Sequence, residues 1–172
     1  ITPHFNIFCF TVHRSLLIVS RGGMVKNLHG QKNIYYQVNA TYYSALGESD
    51  SKMLLARAIQ MFMPGKPQVW YLDLFAGKND HEAVRRAGES GHKEINRTNL
   101  SASDIRDALK KDVVTKQLEL LHMRNTHKAF EKGAVITVAE EGTKLSIRYD
   151  NDGAYALLTV DFDAGAYEIE LS

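Results

Sequence analysis

Histidines are the first residues to weigh for chemistry in this chain. His122 and His127 stand five apart in a helical stretch, which misses the i, i+4 spacing that lets one helix face grip zinc, and no His-Glu-x-x-His word occurs. Gly65-Lys66-Pro67 sets a lysine beside a glycine, but the spaced glycines and the following Ser or Thr of a phosphate-cradling loop are missing. Met53, Met61 and Met63 read as helix packing, and Tyr42 and Tyr43 as core aromatics in preference to sugar platforms. Asp80 and Arg97 have the chemistry of an ion pair that would pin a loop, a reading that competes with any ligand role for Arg97. No cofactor is expected, because the residues offer no site for a nucleotide, a flavin or a metal.

The totals narrow the field further. Twenty-one Lys and Arg nearly cancel 20 Asp and Glu, and no basic run interleaves with aromatics, so the electrostatic footprint of a nucleic-acid binder is missing. Cys9 is the single cysteine, which excludes an internal disulfide framework and fits a reducing, cytoplasmic setting. The apolar run from Ile7 to Val19 is broken by His13 and Arg14 and is too short to span a bilayer, so no membrane role is expected.

The elements that must position any site fall into three zones. Up to residue 50 the chain reads mostly as loop, punctuated by Gly22-Gly23 and Gly30. Ser49 or Asp50 can cap a buried helix carrying Met53, Leu54, Ala58, Ile59, Met61 and Phe62, which Pro64 and Gly65 stop. Pro67 to Leu72 then reads as a strand covered on both faces, as in a parallel sheet. A long polar loop runs from Asp73 to Leu100, followed by the capping box Ser101-x-x-Asp104 and helical spacing from Ile105 to Phe130. Beyond Gly133 the apolar period becomes two, in four runs separated by Glu140-Glu141-Gly142, Asp150-Asn151-Asp152-Gly153 and Asp163-Ala164-Gly165, which predicts an antiparallel meander. A lone parallel-type strand cannot complete a sheet, so its partners are expected upstream.

Four words decide among α/β folds: Tyr36-Gln37-Val38-Asn39-Ala40-Thr41-Tyr42-Tyr43-Ser44-Ala45-Leu46-Gly47, Pro64-Gly65-Lys66-Pro67-Gln68-Val69-Trp70-Tyr71, Ala76-Gly77-Lys78-Asn79-Asp80 and Ile95-Asn96-Arg97. In this order and spacing they closely resemble the sucrose phosphorylase subfamily of glycoside hydrolase family 13, within the α-amylase superfamily. The resemblance implies an α/β fold, the C-terminal part of a (β/α)8 TIM barrel followed by a small antiparallel β domain. Gln68 to Leu72 would be its eighth strand. Residues 1–20 would be an unplaced N-terminal segment, 21–131 the C-terminal part of the barrel, and 132–172 the β domain. A whole barrel takes roughly 250 residues.

The same resemblance implies a retaining glycoside phosphorylase that moves glucosyl from an α-glucoside to inorganic phosphate and gives α-glucose 1-phosphate. Its nucleophile and acid/base carboxylates, about 5 Å apart in retaining enzymes, would lie on earlier strands, so no catalytic residue is expected here and the chain alone should be inactive. Substrate-binding residues carried over are Tyr36 and Gln37, on a mobile loop that meets the leaving group or phosphate, and His92, Lys93 and Arg97 near the Ile-Asn-Arg word. An amide donates and accepts, and a phenol stacks while donating from its edge, as sugar hydroxyls require. Two departures matter. Lys93 replaces a family arginine and lacks its planar fork, and Ile34 stands where an aspartate meets fructose. Lys93, with His92, is therefore read as facing an anion, either phosphate or an acidic acceptor, and the acceptor stays open. Competing readings are a non-catalytic structural or sugar-binding domain and the non-functional product of a broken gene.

Overall fold

The computed structural model describes residues 17–27 and 35–172. Expectations placed on Cys9, on the apolar run before Leu17 and on Ile34 fall outside the described residues. The chain forms two compact units that alternate along the sequence, one from 1–48 and 70–108, the other from 49–69 and 109–172.

In the first unit a helical turn at residues 17–20 precedes an antiparallel pair where loop was expected: β1 (Met24–Asn27) and β2 (Tyr35–Asn39), with Lys26 opposite Gln37 and Met24 opposite Asn39. Strands this short carry too few alternating positions to stand out from loop, and their pairing supplies what the local pattern lacks. Thr41, buried, accepts from the Ser44 N–H at 3.1 Å and opens the short helix α1 (Tyr42–Ala45). The unit resumes with α3 (Tyr71–Leu74), α4 (His81–Ala87), a 3₁₀ segment (Gly88–Asn96) and α5 (Ala102–Ala108). The Ser101–Asp104 capping box forms reciprocally, with Ser101 N–H to Asp104 Oδ2 at 2.8 Å and Asp104 N–H to Ser101 Oγ at 3.2 Å.

The strand expected at Gln68–Leu72 is a correction. Residues 66–70 carry no ladder pairing among the described residues, Trp70 is half exposed, and Tyr71 already enters a helix. A barrel strand is held by neighbours on both edges, and none of those neighbours lies among the described residues.

The second unit packs two helices on a sheet. In α2 (Asp50–Phe62), Ser49 accepts from the Lys52 N–H at 3.4 Å, and Pro64 and Gly65 follow the helix end. The helical spacing after Ser101 resolves into α5 and a separate α6 (Asp112–Thr126), with extended backbone at Lys111. The two helices belong to different compact units, so a break between them lets each follow its own core. The meander is as expected: β3 (Val135–Glu141), β4 (Lys144–Asn151), β5 (Ala154–Asp161) and β6 (Ala166–Leu171), hydrogen-bonded in sequence order. Ala58, Met61 and Phe62 of α2 and Leu120 of α6 bury against Ile147, Tyr149, Ala156, Leu158 and Val160. Each large apolar side chain so buried contributes about 1.5–3 kcal/mol. Buried Arg57 donates to Gln117 Oε1 at 2.9 Å.

Candidate substrate-binding site

The polar residues of the first unit converge on the 3₁₀ segment. Asp80 caps α4, accepting from the Ala83 N–H at 2.8 Å and from Thr98 Oγ1 at 3.0 Å, while its own N–H donates to Ile95 O at 2.8 Å. The Ala83 N–H is the largest influence holding its carboxyl below the ordinary carboxylate range. Trp70 Nε1 donates to Asn96 O at 3.1 Å, Tyr71 OH to Thr98 O at 2.6 Å, and Asn96 Nδ2 to Ala40 O at 3.2 Å. Gly91 is buried, and a Cβ there would sit 2.4 Å from Val84 O, so only glycine lets the segment close onto α4. The result is a tethered 3₁₀ run of nine residues, longer than the few such geometry usually sustains.

The Asp80–Arg97 pair is a correction. Thr98 and Ala83 occupy Asp80, and Arg97 Nη1 instead lies 3.6 Å from Glu94 Oε1 near the surface. Tyr42, read as core, is exposed. A carboxylate three residues away on a helical turn reaches an arginine more readily than one 17 positions back, and sequence alone cannot weigh the two.

Of the sequence-derived site residues, Gln37 lies on β2, half buried, and its Oε1 is a buried atom with no hydrogen-bond partner among the described residues. Tyr36 precedes it on the same strand, and its side chain lies outside the described residues. His92, Lys93 and Arg97 lie in or just after the 3₁₀ segment, Lys93 and Arg97 exposed. His92 Nε2 is buried without a partner among the described residues. Burial first, and then the charges of Lys26, Lys93 and Arg97, push its imidazole below the usual histidine range. Both strands of the β1–β2 hairpin pack on the 3₁₀ segment, which brings the two sequence-derived groups to one neighbourhood.

Three residues were missed. Asn39 and Asn79 stand inside the quoted words, and each has a buried Nδ2 without a partner among the described residues. Asn79 is held by its other atoms: its Oδ1 accepts from the Thr41 N–H at 2.7 Å and its N–H donates to Ser44 Oγ at 3.0 Å. Lys26 carries no local signal at all. Unpartnered amide donors and acceptors at fixed positions suit hydroxyl-rich ligands. Among the described residues, no group of three or more His, Cys, Asp or Glu is placed to hold a metal, and no helix is long and apolar enough to cross a membrane.

A sucrose 6(F)-phosphate phosphorylase of Ilumatobacter coccineus is 54% identical over 155 residues, covering 88% of this chain and 29% of that protein. A sucrose phosphorylase of Bifidobacterium adolescentis is 40% identical over 73% of this chain and 24% of its own length. Among solved structures, the sucrose 6F-phosphate phosphorylase from Thermoanaerobacter thermosaccharolyticum superposes with a TM-score of 0.86 and 33% identity, over 92% of this chain and 33% of that one. The chain belongs to the sucrose phosphorylase subfamily of glycoside hydrolase family 13. No protein-family model matches it. The chain spans about a third or less of the sucrose phosphorylase relatives it matches. Its fold is that of the subfamily, the C-terminal part of a (β/α)8 barrel followed by a small antiparallel β domain.

Proposed function

We propose that this chain supplies the acceptor-side wall of a retaining glycoside phosphorylase, which moves a glucosyl group from a sucrose-like α-glucoside to inorganic phosphate and releases α-glucose 1-phosphate. In this reading Gln37 and Tyr36 hold the leaving sugar or the incoming phosphate by hydrogen bonding and stacking. Lys93 and Arg97 form its cationic side, and His92 adds an uncharged imidazole beside them. The catalytic carboxylates are not among the residues of this chain, which contributes binding and not bond cleavage.

The observation that carries the reading is the gathering of the hairpin that bears Gln37 against the segment that bears His92, Lys93 and Arg97. Uncharged and cationic donors then face one neighbourhood, as a sugar and an anion bound side by side require. The relatives named for sucrose 6(F)-phosphate support a phosphorylated leaving group over plain fructose. Lysine in place of a forked arginine at position 93 is consistent with recognising a point of negative charge.

The test is phosphorolysis by the protein that carries this chain, offered sucrose, sucrose 6(F)-phosphate and glucosylglycerate in turn with inorganic phosphate. Release of α-glucose 1-phosphate from one of them is expected, and from none by residues 1–172 alone. No release from any α-glucoside refutes the reading.

A further inference from the structure

Lys26 has been given no role, yet the fold sets it inside the cationic neighbourhood. In the β1–β2 ladder it stands directly opposite Gln37, and residues opposite one another in an antiparallel pair project from the same face. That hairpin packs on the 3₁₀ segment. Lys26 is exposed, and neither it nor Lys93 makes an ion pair among the described residues, whereas Arg97 is engaged by Glu94. Two unengaged ammonium groups therefore share a neighbourhood with the buried, unpartnered Nε2 of His92 and the unpartnered Oε1 of Gln37. Like charges gathered in this way repel one another. A doubly negative ligand relieves that repulsion, and charge-assisted bonds to it are the strong kind.

We propose that Lys26 is a phosphate-recognising residue: with Lys93 and His92 it binds a phosphate dianion, whose oxygens accept from both ammonium groups while Gln37 meets the hydroxyl-bearing part beside it. Lys26 comes from the hairpin and Lys93 from the 3₁₀ segment, so the dianion is held between two elements and a neutral sugar gains nothing from either lysine. The inference rests on the acceptor-side reading above and deepens it by naming the ligand chemistry. That chemistry has two sources, inorganic phosphate and a sugar phosphate monoester, which the experiment separates.

Lys26→Gln, Lys26→Arg and Lys93→Gln are made in the protein that carries this chain, and binding of inorganic phosphate, fructose 6-phosphate and fructose is measured by titration calorimetry. Lys26→Gln is expected to weaken binding of at least one phosphate-bearing probe about 5–20-fold, to leave fructose binding unchanged, and to reduce the dependence of phosphate binding on salt. Lys26→Arg should restore most of the affinity. A loss confined to fructose 6-phosphate assigns the residue to the leaving sugar's phosphate, and a loss confined to inorganic phosphate assigns it to the incoming nucleophile. Unchanged binding of both overturns the inference, and so does an equal loss for fructose, which is the signature of a structural role. Absence of α-glucose 1-phosphate release with Lys26-dependent phosphate binding intact would overturn the proposed reaction instead, so the two failures are distinct.

Discussion

Removing one oxygen atom from Tyr149 tests how the second unit is tied together. Its hydroxyl donates to Phe62 O at 3.1 Å in a fully buried contact. Phe62 ends α2, so no helical N–H lies beyond it to take that carbonyl, and the tyrosine supplies the missing donor. In Tyr149→Phe the ring remains and keeps its neighbours, Phe130 at a centroid separation of 5.0 Å and Phe62 at 6.2 Å. Only the hydrogen bond is lost. A buried carbonyl left without a donor costs about 1–3 kcal/mol, less than the roughly 3–5 kcal/mol of carving a cavity with Phe62→Ala. With a urea slope of about 2 kcal/mol/M, the unfolding midpoint should fall by about 0.5–1.5 M at unchanged slope. Urea titration followed by far-ultraviolet circular dichroism reads this directly. A midpoint within about 0.2 M of the unaltered chain would mean that solvent already serves the Phe62 carbonyl, and the account of this tie would be wrong.

Two further substitutions probe the first unit. Gly91→Ala drives a Cβ to 2.4 Å from Val84 O, so it should cost about 1–3 kcal/mol and displace the 3₁₀ segment, seen as a lower melting temperature together with weaker phosphate binding. Asp80 binds its proton less readily when folded than when unfolded, chiefly because of the Ala83 N–H. Its contribution to stability is therefore complete above the ordinary carboxylate pKa and is lost as pH falls through the lowered folded value. Asp80→Asn should be less stable than the unaltered chain at neutral pH, with the gap closing in acid, and a gap that stays constant with pH would refute the assignment.

What could be read in the sequence was whatever a few neighbouring residues decide. Ser49 and Ser101 cap because a side-chain oxygen meets an N–H three residues on, and the meander declares itself by strict alternation between turn residues. The β1–β2 hairpin was hidden because its strands are four and five residues long and owe their existence to each other. The segment before Tyr71 misled for the opposite reason: its β-formers encode an extended chain whose partners no local pattern can supply. In the candidate site, Gln37 stands inside a family word, whereas His92 and Lys93 were placed by their distance from the Ile95-Asn96-Arg97 word, Lys93 as a departure from the family arginine. Lys26 lay beyond reach, because only the cross-strand register sets it opposite Gln37. The carboxylate that engages Arg97 was misjudged because two candidates of equal chemistry differ only in how the backbone turns.

The interleaving of the two units along the chain also bears on how the protein is made. On a ribosome delivering about 5–20 residues per second, every residue of the first unit has been synthesised once Ala108 is added, whereas α2 has emerged long before the strands it packs against exist. For several seconds Met61 and Phe62 face solvent or a nascent-chain chaperone, with Tyr149 and Leu158 still untranslated. Slowing translation between residues 109 and 158 would lengthen that exposure, whereas the same delay after residue 172 would not.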